Sequence, residues 1–432
     1  MPRLRLLDLR DDRSDPSDRL PRPKVDAASV ADAVSATLAA VRERGDEAVR
    51  EHTRRFDRVD VTDLRVPDRI IDAALSRLDG AVRDAIQQAI DQVRWFHQRA
   101  RPQEWEDERG SARMGQWYRP VSQVGVYVPG GKAVYPSTVV MTVVPAQVAG
   151  VGAIALCSPP QSDGWPHPAV LATAAVLGVR DIFRVGGAQA IAAMAHGTET
   201  IPACDMIVGP GNIYVATAKQ QVRAAGLCGI DVVAGPTEIA IIADESADPG
   251  LVAADLVAQA EHDELATCLL ITTDPELVGA VEAALETEIA GARHRGRIEA
   301  AFEGQGTAVV VADIEHAVLV AEAFAPEHLE VHTAEAAAVA ARVRYAGTTF
   351  IGSDTPVSLG DYAAGPNHTL PTMGTARFSG GLSTASFLVP VNWVQYDRAA
   401  LADLAPTVER LAATEDLPAH ARAVRIRLED GP

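Results

Sequence analysis

From residue 122 onward, short apolar runs alternate along the chain with longer helical patterns. The strand-like runs are SQVGVYV (122–128), AIALC (153–157), DIFRV (181–185), DMIVG (205–209), EIAIIAD (238–244), TCLLIT (267–272), TAVVVA (307–312) and TTFIG (348–352). The helical patterns between them include PAVLATAAVLG, NIYVATAKQQVRAAG, PGLVAADLVAQAEHD and PELVGAVEAALETEI. Strands that alternate with helices in this way pair as parallel sheets built from β-α-β units. The sequence therefore predicts an α/β fold.

The two ends of the chain differ from this alternation. Residues 1–25 are charged and contain several prolines, so we predict an N-terminal arm outside the core. Residues 27–100 are helical in pattern, because apolar residues recur at three- and four-residue spacing. After Phe387 the chain has one helical pattern, RAALADLAPTVERLAATE, and then a basic, strand-like AVRIRL. This C-terminal tail is too short to build a core of its own, and we expect it to pack on something larger.

The composition excludes several classes of protein. Lys and Arg total 39 against 58 Asp and Glu, a formal net charge of −19, and such a field repels nucleic-acid phosphates and anionic lipid. The four cysteines show neither C-x-x-C spacing nor a disulfide framework. The first residues lack the apolar segment of a signal peptide, and the uncharged stretch 133–162 is broken by prolines and glycines, unlike a membrane span. We therefore expect a cytoplasmic protein that acts on a small molecule, without nucleic-acid or membrane partners.

Glycine-rich loops follow several of the predicted strands. They are VPGGK (128–132), VGGAQA (185–190) and GPGN (209–212). Such loops allow a ligand to approach the backbone closely, but they are also ordinary turns, and both interpretations remain open. The dinucleotide fingerprint G-x-G-x-x-G is absent, since its nearest match, GQGTAV (304–309), lacks the third glycine. The Gly/Pro-rich segment 353–381 is longer than a simple connection between two elements, and loops of this length are typical of functional sites.

The segment QAEHDE (259–264) brings together residue types that bind metals. On a helix, Gln259 and His262 are three residues apart and share a face, so an amide oxygen and an imidazole can meet one cation. Asp361 and His368, in the loop LGDYAAGPNHTLPT, supply another carboxylate and imidazole. Oxygen and nitrogen ligands without thiolate favour zinc, manganese or cobalt. The alternative is a helix end whose polar groups are simply solvated.

The segment PEHLE (326–330) places an acid and a base side by side. In a regular strand Glu327 and His328 would point to opposite faces, so joint action requires an irregular backbone, which Pro326 offers. A histidine near its ordinary pKa can remove an alcohol proton, and a carboxylate can activate water. The two residues are therefore a candidate acid/base pair.

Taken together, these segments resemble the histidinol dehydrogenase family, whose NAD-dependent enzymes complete histidine biosynthesis. The resemblance spans about residues 30–425, and its most specific stretch is IDVVAGPTEIAIIADESADPGLVAADLVAQAEHD (230–263). VGVYVPGGKAVYPSTVVM, GPGNIYVATAK, FAPEHLE, GDYAAGPNHTLPT and SGGLST match in the family's order. Thr237 differs from the family's usual serine but keeps the hydroxyl.

The resemblance implies roles for the matching positions. The implied ligands of one zinc per subunit are Gln259, His262, Asp361 and His420, and the implied water-activating acid/base pair is Glu327 and His328. The implied substrate contacts are Thr237, Gln259, His262, His328, Asp361, His368, Glu415 and His420. The implied nucleotide-side residues are Tyr127, Gln189 and Asn212.

The implied reaction is a four-electron oxidation of L-histidinol to L-histidine through histidinaldehyde, with two NAD reduced in succession. In the family, zinc mainly holds the substrate's amino and imidazole nitrogens. Two alternatives remain. One is a dehydrogenase on the same scaffold that oxidises another polar alcohol, such as a sulfonated diol. The other is a non-catalytic metal- and ligand-binding module, which would bind zinc without forming NADH.

The expected architecture is α/β, with two Rossmann-like parallel-sheet domains that lack G-x-G-x-x-G, an N-terminal helical region and a small C-terminal dimerisation tail. We expect residues 26–122 and 237–380 to form a first domain that carries the metal and catalytic residues. Residues 123–236 are expected to form a second domain on the nucleotide side. The tail, 381–432, reaches across a two-fold homodimer in the family, so shared active sites are expected.

Overall fold

The computed structural model describes residues 4–24, 26, 28–130, 135–232 and 235–429. The described residues form two compact units. The first contains the residues up to Ala100 together with Val121–Phe387, and the second contains Arg101–Pro120 and the residues from Leu388 onward. None of the described helices is both long enough and apolar enough to cross a lipid bilayer.

The described residues contain fourteen strands. In chain order they are β1 (Arg5–Asp8), β2 (Trp105–Arg109), β3 (Ala112–Pro120), β4 (Gln123–Tyr127), β5 (Ala153–Cys157), β6 (Ile182–Phe183), β7 (Met206–Val208), β8 (Gly229–Ile230), β9 (Glu238–Ala243), β10 (Thr267–Thr272), β11 (Thr307–Val310), β12 (His328–His332), β13 (Thr348–Ile351) and β14 (Leu388–Gln395). Six form a parallel sheet in the order β1-β11-β10-β9-β12-β13. Five form a second parallel sheet, β6-β5-β4-β7-β8, and three form an antiparallel sheet, β14-β3-β2.

The described residues also contain sixteen α-helices. In chain order they are α1 (Ala28–Arg44), α2 (Asp46–Phe56), α3 (Asp68–Ser76), α4 (Gly80–Arg99), α5 (Pro136–Ala149), α6 (Pro168–Val176), α7 (Gly187–His196), α8 (Ile213–Ala224), α9 (Pro249–Ala260), α10 (Pro275–Gly291), α11 (Arg295–Gln305), α12 (Ile314–Phe324), α13 (Ala336–Ala340), α14 (Val357–Tyr362), α15 (Arg398–Thr414) and α16 (Pro418–Leu428). Both parallel sheets and α1 to α14 belong to the first unit, whereas the antiparallel sheet, α15 and α16 belong to the second.

Apolar side chains cover both faces of the six-stranded sheet. Ile239 and Ile241 of β9 pack into a cluster with residues of α9 and α10. The alternate residues, Ala240 and Ile242, pack into a separate cluster with residues of α12. A strand that is buried on both faces has no polar side to display, which is why β9 is almost wholly apolar. The α/β fold predicted from the alternation is confirmed.

Both parallel sheets have the strand order of doubly wound α/β folds. In the five-stranded sheet β4 is central, with β5 and β6 on one side and β7 and β8 on the other. In the six-stranded sheet β9 has the corresponding place, with β10 and β11 on one side and β12 and β13 on the other. Each sheet therefore has a reversal point, between β4 and β7 or between β9 and β12, where the strand order changes direction. Nucleotide ligands of such folds bind beside a reversal point, beyond the carboxyl ends of the strands.

Residues Arg5–Asp8 belong to the core sheet, and for this segment the prediction of an arm outside the core, made for residues 1–25, is wrong. Strand β1 pairs in parallel with β11, and the flanking Leu4 and Leu9 are buried. Because β1 is an edge strand, most of its own side chains are exposed. Charged side chains suit an exposed edge strand, so composition alone did not distinguish this strand from an arm.

The C-terminal segment AVRIRL is helical, and its prediction as a strand is also wrong. It belongs to α16, which begins at Pro418 and packs against α15. Six residues that alternate between apolar and basic match the period of a strand, but they are too few to exclude a helix. The antiparallel sheet was not predicted either, because β2 (WEDER) is fully exposed and has no apolar alternation.

Candidate active site

The candidate site is built at the amino ends of two neighbouring strands of the six-stranded sheet. Thr237 immediately precedes β9, Glu327 immediately precedes β12, and His328 is the first residue of β12. Gln259 lies in the last turn of α9. His262 lies in a turn just beyond this helix, and its predicted position on the helix is wrong. Because α9 connects the parallel strands β9 and β10, it must return the chain to the amino edge of the sheet. The helix therefore ends beside Thr237.

Hydrogen bonds join three of the predicted residues. Gln259 Nε2 donates to Thr237 Oγ1, and the Thr237 hydroxyl donates to Glu327 Oε2 at 2.5 Å. The backbone N–H of Glu238 donates to the same carboxylate oxygen at 2.9 Å. Thr237 thus connects the Gln259 amide to the Glu327 carboxylate through its hydroxyl.

The Glu327 carboxylate and the His328 imidazole lie close together. Glu327 Oε2 is 3.6 Å from His328 Nδ1. Glu327 lies outside the regular strand, and Ala325 nearby has a left-handed backbone with a φ of 47°, so strict alternation of side chains does not apply here. His328 Nδ1 is 3.2 Å from the Glu238 carbonyl oxygen. A proton on Nδ1 that donates to this carbonyl leaves Nε2 free to act as an acceptor.

Burial controls the protonation of both groups. It raises the pKa of Glu327 to about 8, against the opposing hydrogen bonds from Thr237 and from the Glu238 N–H. Burial also lowers the pKa of His328 to about 4. At neutral pH His328 is therefore an uncharged imidazole, which is the form that can accept a proton.

A second set of predicted residues comes together around α14. His262 Nε2 is 3.4 Å from Asp361 Oδ2. Burial disfavours a charged His262, but the Asp361 carboxylate outweighs burial and raises the pKa of His262. Burial likewise disfavours a charged Asp361, but the contact with His262 outweighs it and lowers the pKa of Asp361. His368 Nδ1 is 3.0 Å from the Asp361 carbonyl oxygen, its Nε2 is 3.5 Å from Thr138 Oγ1, and burial lowers its pKa.

The donor atoms of these residues fit a metal ion. Gln259 is fully buried, and its Oε1 has no hydrogen-bond partner among the described residues, because Nε2 is the atom that meets Thr237. Buried polar atoms are almost always paired, so this oxygen is open to a ligand. The 3.4 Å between His262 Nε2 and Asp361 Oδ2 is close to the edge of about 3.3 Å between two ligands of a tetrahedral zinc. An amide oxygen, an imidazole and a carboxylate are all suitable donors to zinc.

Glu415 and His420 belong to the second unit. Glu415 follows the last residue of α15, and His420 lies in the first turn of α16. Both side chains are exposed. Their roles in substrate and metal binding stay predictions.

The predicted nucleotide-side residues lie around the reversal point of the five-stranded sheet. Tyr127 ends β4, and its hydroxyl accepts a hydrogen bond from the Gly187 N–H at 3.2 Å. Gln189, in the first turn of α7, is buried, and its Nε2 is unpaired among the described residues. Asn212 follows β7 and caps α8 by accepting hydrogen bonds from the N–H groups two and three residues further on. Residues 131–132 of the loop VPGGK lie outside the described residues.

Two charged pairs near these sites, one buried and one partly buried, were not predicted from the sequence. Lys219 of α8 forms an ion pair with Asp231. Lys219 Nζ also donates a hydrogen bond to the Gly209 carbonyl oxygen at 3.0 Å, and the Gly209 N–H donates to Asp231 Oδ2 at 2.6 Å. Glu238, at the start of β9, pairs with Arg22 at 2.6 Å. The signal that could have revealed them is a single charged residue within an otherwise buried helix face or strand.

Replacing Lys219 by Met is expected to lower the free energy of unfolding by about 3–5 kcal/mol, because the Asp231 carboxylate then remains buried without its counter-ion. The two side chains are only 3% and 0% exposed. Unfolding in urea, followed by circular dichroism, measures the loss. Arg180→Met is the matched control: it removes an exposed ion pair with Asp72 and should cost less than about 1 kcal/mol. Equal losses in the two variants would contradict this account of the buried pair.

The doubly wound sheets and the buried carboxyl–imidazole pair define an α/β enzyme. Comparisons with known proteins then identify its family. The family model described as histidinol dehydrogenase matches residues 20–428. The histidinol dehydrogenase of Thermobifida fusca is 50% identical over 98% of this chain and 97% of the relative, and that of Mycobacterium tuberculosis is 50% identical over 95% and 94%. The crystal structure of histidinol dehydrogenase from Elizabethkingia anophelis matches with a TM-score of 0.95 at 34% identity, over 99% of this chain and 98% of that one. The chain therefore belongs to the histidinol dehydrogenase family, which is a family of oxidoreductases, and the resemblance seen in the sequence is confirmed.

Proposed function

We propose that this chain oxidises L-histidinol to L-histidine through histidinaldehyde, the last step of histidine biosynthesis, and that it does so in the cytoplasm. The observation that carries the proposal is the hydrogen-bonded set of Gln259, Thr237 and Glu327 beside an uncharged His328. Relatives that are named for this reaction and are 50% identical to the chain support it further.

One zinc ion in each active site is part of the proposal. Gln259, His262 and Asp361 would hold it, together with His420 of the partner subunit. When bound, zinc offers a cation to the amino and imidazole nitrogens of the substrate. Because only one of these four residues is a carboxylate, the ligand set neutralises only part of the charge of the ion and leaves it attractive to neutral nitrogen donors.

The side chains of the protein move the protons of the reaction. NAD, when bound, accepts a hydride in each of the two oxidations. His328 takes the hydroxyl proton of the alcohol as the carbon loses its hydride. Glu327 in its ionised form, whose share grows as the pH rises towards its pKa of about 8, then takes a proton from water as the water adds to the aldehyde. The protonated His328 gives its proton to the aldehyde oxygen in the same step, and the imidazole, neutral again, takes a hydroxyl proton from the resulting hydrate in the second oxidation. His368 and Glu415 are proposed to contact the substrate.

Tyr127, Gln189 and Asn212 are proposed to line the nucleotide side. Support comes from Tyr127, which ends β4, and from Asn212, which follows β7, because these strands flank the reversal point where doubly wound sheets bind nucleotides. Gln189 lies two residues after Gly187, whose N–H donates to the Tyr127 hydroxyl. Gln189 also lies in the first turn of α7, and Asn212 caps the amino terminus of α8. Helix amino termini favour the binding of phosphate.

A homodimer with shared active sites completes the proposal. The second unit exposes large apolar side chains on β14, α15 and α16, namely Val389, Val391, Val394, Leu404, Leu411 and Ile426. The residues of α15 and α16 that are buried are all alanines, so this unit has little core of its own. Exposed apolar surfaces of this kind mark interfaces between subunits. Because Glu415 and His420 are exposed in the same unit, a second copy of the chain can reach them.

Formation of NADH from L-histidinol tests the proposed function. The purified protein should form two NADH per histidinol, and a chelator should stop the reaction until zinc is restored. Sulfopropanediol, which has no nitrogen donors for a metal, is the comparison substrate and should not be oxidised. Faster turnover of sulfopropanediol would overturn the proposed substrate. Zinc binding without any NADH would instead show a binding module.

Mixed dimers test the shared site. Asp361→Asn and His420→Asn proteins are each expected to be inactive, yet the two refolded together should recover about a quarter of wild-type activity. With random pairing, half of the dimers are mixed, and each mixed dimer collects both defects in one site and leaves the other intact.

The matched control for this experiment is a mixture of Asp361→Asn with His262→Asn. In the proposal, His262 and Asp361 of a chain belong to the same site. Each site of such a mixed dimer therefore has one altered ligand, no intact site can form, and activity should stay absent. Native mass spectrometry confirms that mixed dimers are present. Absence of recovery with Asp361→Asn and His420→Asn, despite confirmed mixed dimers, would refute the shared site.

A further inference from the structure

A second cluster of metal-ligand side chains lies inside the first unit. Asp255 belongs to α9, and Glu330 and His332 belong to β12. One ligand atom from each of the three residues lies within 4.8 Å of the others. His332 Nε2 is 3.4 Å from Glu330 Oε2 and 3.9 Å from Asp255 Oδ2. The three residues are 8%, 0% and 3% exposed, so the cluster is shielded from solvent.

Several polar atoms of this cluster have no hydrogen-bond partner among the described residues. They are both ring nitrogens of His332 and Oε2 of Glu330. Glu330 Oε1 accepts a hydrogen bond from the Val357 N–H at 2.6 Å. No Lys or Arg within the described ranges forms an ion pair with Asp255 or Glu330. Because buried polar atoms are nearly always paired, unpaired atoms that lie this close together indicate a ligand site.

A proton or a water molecule satisfies this cluster less completely than a cation does. Burial and the neighbouring Glu330 carboxylate raise the pKa of Asp255 to about 7. A proton shared between the two carboxyl groups lowers their repulsion but leaves the His332 ring unpaired. A proton on His332 Nε2 would lie near Glu330 Oε2, yet this 3.4 Å contact is not aligned as a hydrogen bond, and Nδ1 would still have no partner among the described residues. Water can bond to His332 but carries no charge to balance Glu330. A divalent cation balances both carboxylates and also takes a lone pair from a neutral imidazole.

We propose that Asp255, Glu330 and His332 form a second site for a divalent transition-metal ion, with zinc as the ion to test. Two carboxylates and one imidazole are ligands that zinc and manganese both accept. The 3.4 Å between His332 Nε2 and Glu330 Oε2 is close to the edge of about 3.3 Å in a tetrahedral zinc site. Two carboxylates cancel the charge of a divalent ion, as burial of the site requires.

This second site connects the elements that carry the candidate active site. Asp255 lies about one helical turn before Gln259 on α9, so the two residues share a face of the helix. Glu330 lies two residues after His328 on β12. It accepts a hydrogen bond from the first N–H of α14, the helix that contains Asp361. An ion bound here therefore ties α9 to β12 behind the acid/base pair, and its role is structural.

The metal content of the purified full-length protein tests this proposal. After equilibration with Zn²⁺ and removal of loosely bound ions, we expect two zinc ions per subunit in the wild type and one in His332→Gln. His262→Asn should also retain one. His97→Gln is the matched control, because His97 is another fully buried histidine with both ring nitrogens unpaired, but it forms no ion pair among the described residues. This control should keep two ions.

Cobalt gives a second readout that does not depend on the folding of a single variant. Titration of the metal-free wild type with Co²⁺ should produce visible d–d absorption that saturates at two equivalents, and Asp255→Asn should saturate at one. If the wild type saturates at one equivalent of Co²⁺ and His262→Asn binds none, the second site is overturned and the proposed function is left intact. Two equivalents in both Asp255→Asn and His332→Gln would overturn it as well, because the second ion would then lie elsewhere.

Discussion

Replacing His328 by Asn should slow both oxidations by about 10²–10⁴-fold, the usual loss when a positioned general base is removed. Burial keeps the imidazole uncharged at neutral pH, with a pKa of about 4. The contact of Nδ1 with the Glu238 carbonyl leaves Nε2 as the atom that accepts the proton. An asparagine side chain has no atom of comparable basicity. Turnover measured separately with histidinol and with histidinaldehyde reports the loss in each step.

Glu327→Gln separates the two members of the acid/base pair. Only the aldehyde step needs activated water, so this variant should retain more of the alcohol oxidation than of the aldehyde oxidation. His316→Asn is the matched control for the histidine variant, because His316 is a buried histidine on α12 outside the site, and it should keep wild-type rates. If Glu327→Gln impaired both steps equally, the division of roles would be wrong.

His262→Asn is expected to lose one zinc ion per subunit and nearly all activity while remaining folded. The imidazole nitrogen of His262 lies 3.4 Å from Asp361 Oδ2, and no other side chain of the proposed ligand set replaces it. Loss of one ligand from a site of four weakens metal binding strongly, because the remaining ligands no longer complete the coordination. Elemental analysis of the purified variant and its turnover with histidinol measure the two effects.

Two controls accompany the His262 variant. Circular dichroism distinguishes loss of the metal from loss of the fold. His294→Asn, at the start of α11, changes a histidine to which no role is assigned and should keep both zinc and activity. Full zinc content together with normal turnover in His262→Asn would remove His262 from the proposed site.

Local patterns predicted most elements of the first unit. The segment EIAIIAD contains β9, and PGLVAADLVAQAEHD contains α9, because a buried strand and a buried helix face each repeat apolar residues with their own period. The errors at β1 and β2 arise because the side chains of these strands are mostly exposed and do not show the apolar pattern of a buried strand. Strand β1 pairs with β11 through its backbone, while most of its side chains are exposed. The pattern of side chains along a sequence indicates their exposure but not the pairing of the backbone.

The candidate site divides in the same way. Gln259 with His262, and Glu327 with His328, are close in sequence, so their residue types and spacing could be recognised directly. Lys219 and Asp255 have no such neighbours. Each is the single charged residue among the buried residues of its helix, and only its distant partner explains why it can be buried there.

The sequence by itself determined the element types, the parallel α/β class and the family, because each of these depends on periodicity or on residue order within short segments. Only the tertiary structure decided which segments meet. The hydroxyl of Thr237 reaches the carboxylate of Glu327 across 90 residues of chain, and this contact exists because β9 and β12 are neighbours in the sheet. Asp255 meets His332 for a related reason: α9 packs on the sheet that contains β12. Strand order and helix packing arise from the burial of whole faces against one another, and no local pattern encodes which face will cover which.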